Sequence, residues 1–256
     1  MSMSIAEAIN VLGGFCGKRD LSELSQNALQ NQYGFSQADV YVLFGGSILA
    51  GGEVMAEAIR EKIARKYIIV GGEGHTTESL RQRMHAKYPD FITEGLSEAQ
   101  IFSDFLQREY GYKVDYLECK STNCGNNITY LLELLQEKNI SFKSIILSQD
   151  ATMQYRMAVT LRKYIPEGTT IINYATYQAK VISKENQLMF EKEIWGMWDM
   201  NRYITLLMGE VPRLTDDENG YGPLGRDFIV HVDIPTDVKE AFAILQNQYK
   251  DGVRVA

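Results

Sequence analysis

The apolar run Val40-Tyr41-Val42-Leu43-Phe44 stops abruptly in Gly45-Gly46, followed by Ser47 and then by helix-forming residues from 53 to 66. Continuous apolarity rich in β-branched residues suits a strand covered on both faces, as in a parallel sheet. A strand that ends in glycine at a helix mouth exposes backbone N–H groups and tends to hold something small. The same grammar recurs at 67–75, more loosely at 114–127, and again at 144–150. Several strand ends can therefore converge on one cleft.

Candidate strands are 40–44, 67–70, 114–117, 143–147 and 170–174, with helical stretches between them. Ile101, Phe102, Phe105 and Leu106 form one apolar stripe, and Ser97 with Gln100 supplies a capping box at its start. Ile128, Leu131, Leu132 and Leu135 form another. This alternation predicts an α/β fold, a Rossmann-like doubly wound, mainly parallel sheet with a small, mostly helical C-terminal lobe. Three segments are expected: 1–36, an N-terminal helical segment packed on the core; 37–174, the Rossmann-like α/β domain; and 175–256, the lobe. Within the lobe the pattern predicts a long helix over 183–208, carrying Met189, Phe190, Trp195, Met197 and Trp198 on one face. A short strand at 228–232 and a last helix from Thr236 follow.

With 256 residues and 45% hydrophobic content, the chain can bury a full core. A formal net charge of -7, with no basic stripe longer than 60–66, argues against a nucleic-acid partner. Cys16, Cys119 and Cys124 match neither a disulfide framework nor a zinc site and point to a reducing compartment. The first twenty residues lack a basic n-region, and the longest uncharged run, 40–52, is too short and glycine-rich to span a bilayer. A cytoplasmic protein with a small-molecule partner and no membrane partner is expected; oligomeric state is left open.

Four strand ends offer chemistry. Gly45, Gly46 and Ser47 can approach an anion closely, although the spacing is neither Gly-x-Gly-x-x-Gly nor a Walker loop, and a turn needing positive φ explains them as well. Gly71, Gly72, Glu73, Gly74 and His75 repeat the arrangement with titratable groups added; His75 is the candidate catalytic residue, as hydrogen-bond donor or proton carrier. Thr76 or Thr77 can cap the helix that follows. Ser121, Thr122, Asn123 and Asn127 offer more small polar groups than one N-cap needs, which favours a binding loop. Asp150 can accept from a ribose hydroxyl or an amine and Arg156 can clamp an anion, or the two are an N-cap and a surface arginine. Asp217, Asn219 and Gly220 sit at EF-hand spacing, but Thr215 and Arg226 occupy the first and twelfth ligand positions, so no metal site is expected.

Three phrases carry a family resemblance: Ser-Thr-Asn-Cys-Gly-Asn-Asn at 121–127, Gln-Asp-Ala-Thr-Met-Gln-Tyr-Arg at 149–156, and the stretch from Gly-Glu-Val-Pro-Arg to Ile-Val-His-Val-Asp at 209–233. They closely resemble the bacterial ElyC/SanA/YdcF family, a domain of unknown function, and the last phrase belongs to one branch that the wider family does not share. The resemblance implies a Rossmann-like domain and S-adenosylmethionine as cofactor, the ligand attributed to that branch. It places Gly45, Gly46, Gly71, Gly72 and Gly74 on the family's glycine-rich strand ends, Ser121, Thr122, Asn123 and Asn127 on its Ser/Thr-Asn loop, and Arg156 on an arginine after the fourth strand. Met153 stands where much of the family carries histidine, so a proton-transfer role there does not transfer.

Three functions follow as expectations. The first is a cytoplasmic S-adenosylmethionine-binding protein, with methyl transfer to an unknown substrate as its chemistry. The second is a hydrolase or transferase acting on a phosphorylated metabolite, with His75 as acid or base. The third is a non-catalytic ligand sensor. Whether the chain is an enzyme is left open by its residues.

Overall fold

The computed structural model describes residues 3–249. In chain order the elements are α1 (Ile5–Cys16), α2 (Gln26–Tyr33), β1 (Ala38–Phe44), α3 (Ala50–Arg60), β2 (Ala64–Val70), α4 (Thr77–Lys87), α5 (Glu98–Tyr110) and β3 (Tyr116–Glu118). There follow α6 (Cys124–Glu137), β4 (Ser144–Ser148), α7 (Gln154–Arg162), β5 (Thr170–Asn173), β6 (Val181–Lys184), β7 (Gln187–Phe190), α8 (Met200–Leu214) and α9 (Thr236–Gln248). They form two compact units. One, here the sheet unit, comprises 19–150 and 166–176; the other, the helical unit, comprises, among the described residues, 3–18, 151–165 and 177–249.

The sheet unit is a five-stranded parallel sheet in the order β3-β2-β1-β4-β5, flanked by helices, consistent with the Rossmann-like doubly wound fold. All five expected strands are present, with ends displaced by up to three residues. β1 is central and almost wholly buried, as its unbroken apolarity requires. Its start is pinned to β4 by Asp39, whose Oδ2 accepts from the Lys143 and Ser144 amides at 2.8 and 3.1 Å. Near its end, Tyr41 donates to Ser148 Oγ at 2.6 Å, and that hydroxyl donates to the Tyr174 carbonyl at 2.8 Å. α5 starts in the expected Ser97/Gln100 capping box and lays Phe102 and Phe105 against Gly51 and Gly52 of α3; a Cβ at Gly52 would lie 2.7 Å from the Phe105 ring.

The helix expected over 53–66 is shorter. α3 ends at Arg60, Lys62 takes the left-handed φ of 53°, and β2 begins at Ala64. The turn lets Ala38 donate to the Ile63 carbonyl, which starts the β1–β2 ladder three residues earlier than the sequence suggests.

In the helical unit, α1 buries Ala8, Ile9 and Leu12 against α9 and α8. Residues 3–18 therefore group with the C-terminal segment and not as one N-terminal layer over 1–36, and 151–165 join them; residues 1–2 of the expected segment and 250–256 of the expected lobe lie outside the described residues. The long helix expected over 183–208 is not formed. Its first part is the antiparallel hairpin β6–β7, turning at Glu185 and Asn186 with φ of 52° and 61°, the backbone of a type I′ turn. Asn10 of α1 completes the edge of β6, its amide donating to the Val181 carbonyl at 2.8 Å and accepting from the Val181 N–H at 2.7 Å. Only from Met200 does a helix run, capped by Asp199. The strand expected at 228–232 is also absent: Phe228 and Ile229 both donate to the Tyr221 carbonyl, which folds the segment back as a loop.

Candidate functional site

In the order β3-β2-β1-β4-β5 the chain reverses direction across the sheet beside β1, and open α/β sheets bind ligands at such a switch point, outside the strand C-termini. Loops 45–49, 71–76 and 119–123 and residues 149–150 all follow strands at that edge. The sheet unit thus gathers thirteen of the fourteen expected site residues onto one edge.

What the glycines do there is specific. Glu98, the first residue of α5, sits across the ends of β1 and β2: its N–H donates to the Gly72 carbonyl at 3.0 Å and that of Ala99 to the Gly71 carbonyl at 2.9 Å. A Cβ on Gly45 would lie 2.7 Å from Glu98 Oε2, and one on Gly71 would lie 3.1 Å from Glu98 Cβ. The two glycines clear space for a carboxylate supplied by the protein itself. Gly72 serves a second approach, since a Cβ there would fall 2.3 Å from the Ser121 carbonyl oxygen; its N–H donates to that oxygen and to Ser121 Oγ.

Glu98 is only 7% exposed. Oε1 accepts from Thr76 Oγ1 at 3.0 Å and from Thr77 Oγ1 at 2.9 Å, and neither threonine caps α4 with its side chain. No lysine or arginine among the described residues forms an ion pair with it. Burial pushes its carboxyl above the ordinary glutamate value, against the lowering pull of the two threonine hydroxyls and of Arg81. The sequence does not single out Glu98, because an acidic residue in a first helical turn reads as a complement to the helix dipole.

On the other side of β1, Phe44, Gly46, Ile48, Gly51, Phe102, Gln149, Asp150 and Thr176 line a narrow crevice of about 10 Å³. Gln149 Oε1 accepts from the Asp150 N–H at 2.6 Å, and the Gln149 carbonyl accepts from the Thr176 N–H at 2.9 Å. Ser47, 1% exposed, keeps a buried hydroxyl with no hydrogen-bond partner among the described residues, and its carbonyl accepts from Arg83 at 3.0 Å.

The remaining expected residues of the sheet unit form the rim. Glu73, Gly74 and His75 are exposed, and Glu73 pairs with Arg81 at 3.3 Å. Asn123 is the N-cap of α6, accepting from the Asn126 N–H at 3.0 Å, while Thr122 and the Asn123 amide converge on Asn126 Oδ1. Asn127 is half-buried one turn inside α6. Arg156 belongs to the helical unit, where Nε and Nη2 bind Glu210 at 2.6 and 2.9 Å.

No protein-family model matches the chain. Among the described residues no helix is long and apolar enough to cross a membrane, and no group of three His, Cys, Asp or Glu side chains is placed to hold a metal ion.

Proposed function

We propose that this chain is a cytoplasmic member of the ElyC/SanA/YdcF family that binds S-adenosylmethionine at the switch-point edge of its parallel sheet. The observation that carries the reading is the acceptor character of that edge: Glu98 at the ends of β1 and β2, and Gln149 with Asp150 beside Gly46. Carboxylates and an amide suit an ammonium group, a sulfonium centre and ribose hydroxyls. A phosphorylated metabolite needs cations instead. Arg156 is committed to Glu210, and Arg81 lies among Glu73, Glu78 and the Thr93 and Leu96 carbonyls.

The residues fit the ligand's chemistry, and Ser47 adds a buried hydroxyl in need of a partner. In this reading Asp150 and Gln149 hold hydroxyls and Glu98 faces the ammonium. The ligand supplies an activated methyl group, and positioning it against an acceptor requires orientation more than acid–base help. The crevice beside β1 has room for about one water, so an adenosine enters only if the loops at 45–49 and 149–150 part. Titration calorimetry of the purified protein with S-adenosylmethionine is expected to give saturable heat. Its absence at millimolar ligand removes the reading.

A further inference from the structure

We infer that Glu98 Oε2 is the group that selects a positively charged ligand end, the ammonium of an amino-acid moiety, at the mouth of β1 and β2. The inference deepens the proposed function and rests on it. Three observations combine. Oε1 is immobilised by Thr76 and Thr77, so the carboxylate has one orientation. Oε2 accepts no hydrogen bond from a described residue and lies over Gly45, where a Cβ would approach it to 2.7 Å. The residue is 7% exposed and no lysine or arginine among the described residues forms an ion pair with it, Arg81 acting only from a distance.

The last two cost stability, which the threonine hydroxyls offset only in part. Burying a charge with neither counterion nor full hydrogen bonding is strongly unfavourable, and a fold that needed only a helix start could use the neutral isostere glutamine. A cationic donor arriving at Oε2 supplies both the missing charge and the missing hydrogen bond. A hydroxyl supplies only the second, which is why an ammonium is the better match. Gly45 and Gly71 then have a functional explanation beyond chain turning, because they keep the strand ends bare where the carboxylate comes down. Thr76 and Thr77 act through Glu98 as positioning residues.

The test compares wild type with Glu98→Gln by calorimetry, using two probes: S-adenosylmethionine, and 5′-dimethylsulfonio-5′-deoxyadenosine, which keeps the adenosine and the charged sulfonium but lacks the amino-acid end. The variant preserves side-chain shape and the acceptor for both threonines, and circular dichroism with thermal melting checks its fold. Expected is a loss of about tenfold or more for S-adenosylmethionine, the range for a hydrogen bond to a charged group, with affinity for the dimethylsulfonium probe unchanged. Glu98→Asp, which retracts the charge by one methylene, is expected to lose affinity for the first probe alone; this holds the question open to measurement if the glutamine variant does not fold. Equal binding of S-adenosylmethionine by wild type and variant overturns the role of Glu98 and leaves the proposed function standing. An equal loss for both probes overturns the ammonium assignment. No binding of S-adenosylmethionine by wild type overturns the proposed function and this inference with it.

Discussion

Arg156 and Glu210 form a two-pronged ion pair, Nε to Oε2 at 2.6 Å and Nη2 to Oε1 at 2.9 Å, with side chains 12% and 7% exposed. The geometry is that of a guanidinium fork closed on a carboxylate. Removing one partner leaves the other as a buried uncompensated charge. Arg156→Ala or Glu210→Ala is therefore expected to cost about 3–5 kcal/mol. The double variant Arg156→Met/Glu210→Met, which leaves no charge behind, is expected to recover most of that loss in urea denaturation. A double variant as unstable as the singles would show that the pair contributes more than mutual neutralisation.

The same unit holds Cys16, which is 1% exposed. Burial pushes its thiol well above the ordinary value, with the Glu210 carboxylate adding to the effect and Arg156 and Lys18 opposing it. The thiolate is the reactive species. A neutral-pH alkylating reagent is therefore expected to leave Cys16 unmodified in the folded protein and to modify it after unfolding in denaturant, as read by peptide mass spectrometry. Modification under native conditions would mean that α1 opens readily.

The glycines divide by what surrounds them. At Gly72 an added methyl group meets backbone, the Ser121 oxygen at 2.3 Å and the Cys119 oxygen at 2.9 Å, which cannot move aside as a side chain can. Gly14, exposed within α1, has nothing within 4 Å. Gly72→Ala is expected to destabilise by about 2 kcal/mol or more through overpacking, whereas Gly14→Ala is expected to stabilise by about 0.5–1 kcal/mol through helix propensity. Thermal melting of the two variants checks both signs.

His231 links the loop after α8 to the segment before α9, its Nδ1 2.6 Å from Asp216 Oδ2 and its Nε2 3.2 Å from Asp233 Oδ1. Asp216 first, then Asp233, raise the imidazole above its ordinary 6.5. A group with a raised folded value contributes stability that is fully present below the unfolded value and is lost as pH rises through the folded one. Denaturation midpoints are therefore expected to fall as pH climbs from 6.5 upward. In His231→Gln that part of the slope is expected to vanish; an unchanged slope would assign it to another group.

These particulars separate what a sequence displays from what it conceals. β1 is legible because a strand buried on both faces must be apolar at every position, and the start of α5 is legible because Ser97 and Gln100 satisfy each other's backbone partners. The β6–β7 hairpin is not, since its turn uses Glu185-Asn186 at positive φ in place of the Asn-Gly that would announce it. The rim is legible as a cluster of small polar residues, but half of that surplus serves local bonding: Thr122, Asn123 and Asn126 bind one another. The glycine-ended strands mark the edge of the sheet where the strand C-termini gather. What comes down upon Gly45 and Gly71, a carboxylate from a helix 53 and 27 residues further along the chain, is a tertiary fact with no local mark.

Glu98 provides the last test, and it needs no ligand. Burial raises its carboxyl above the 4.5 of an exposed glutamate, with Thr77, Thr76 and Arg81 pulling the other way. The native state thus holds a proton more tightly than the unfolded chain, and the associated stability is present below 4.5 and lost as pH rises through the raised folded value. Above that window the native protein therefore carries the cost of holding Glu98 ionised. Glutamine accepts from the same two hydroxyls without that charge. Glu98→Gln is expected to be more stable than wild type at neutral pH, with the difference shrinking as the pH is lowered through this window, in urea titrations at matched ionic strength. A stability gain coupled to a loss of ligand affinity is the signature of a residue kept for binding. A variant less stable than wild type at neutral pH would instead make Glu98 a structural support for the start of α5.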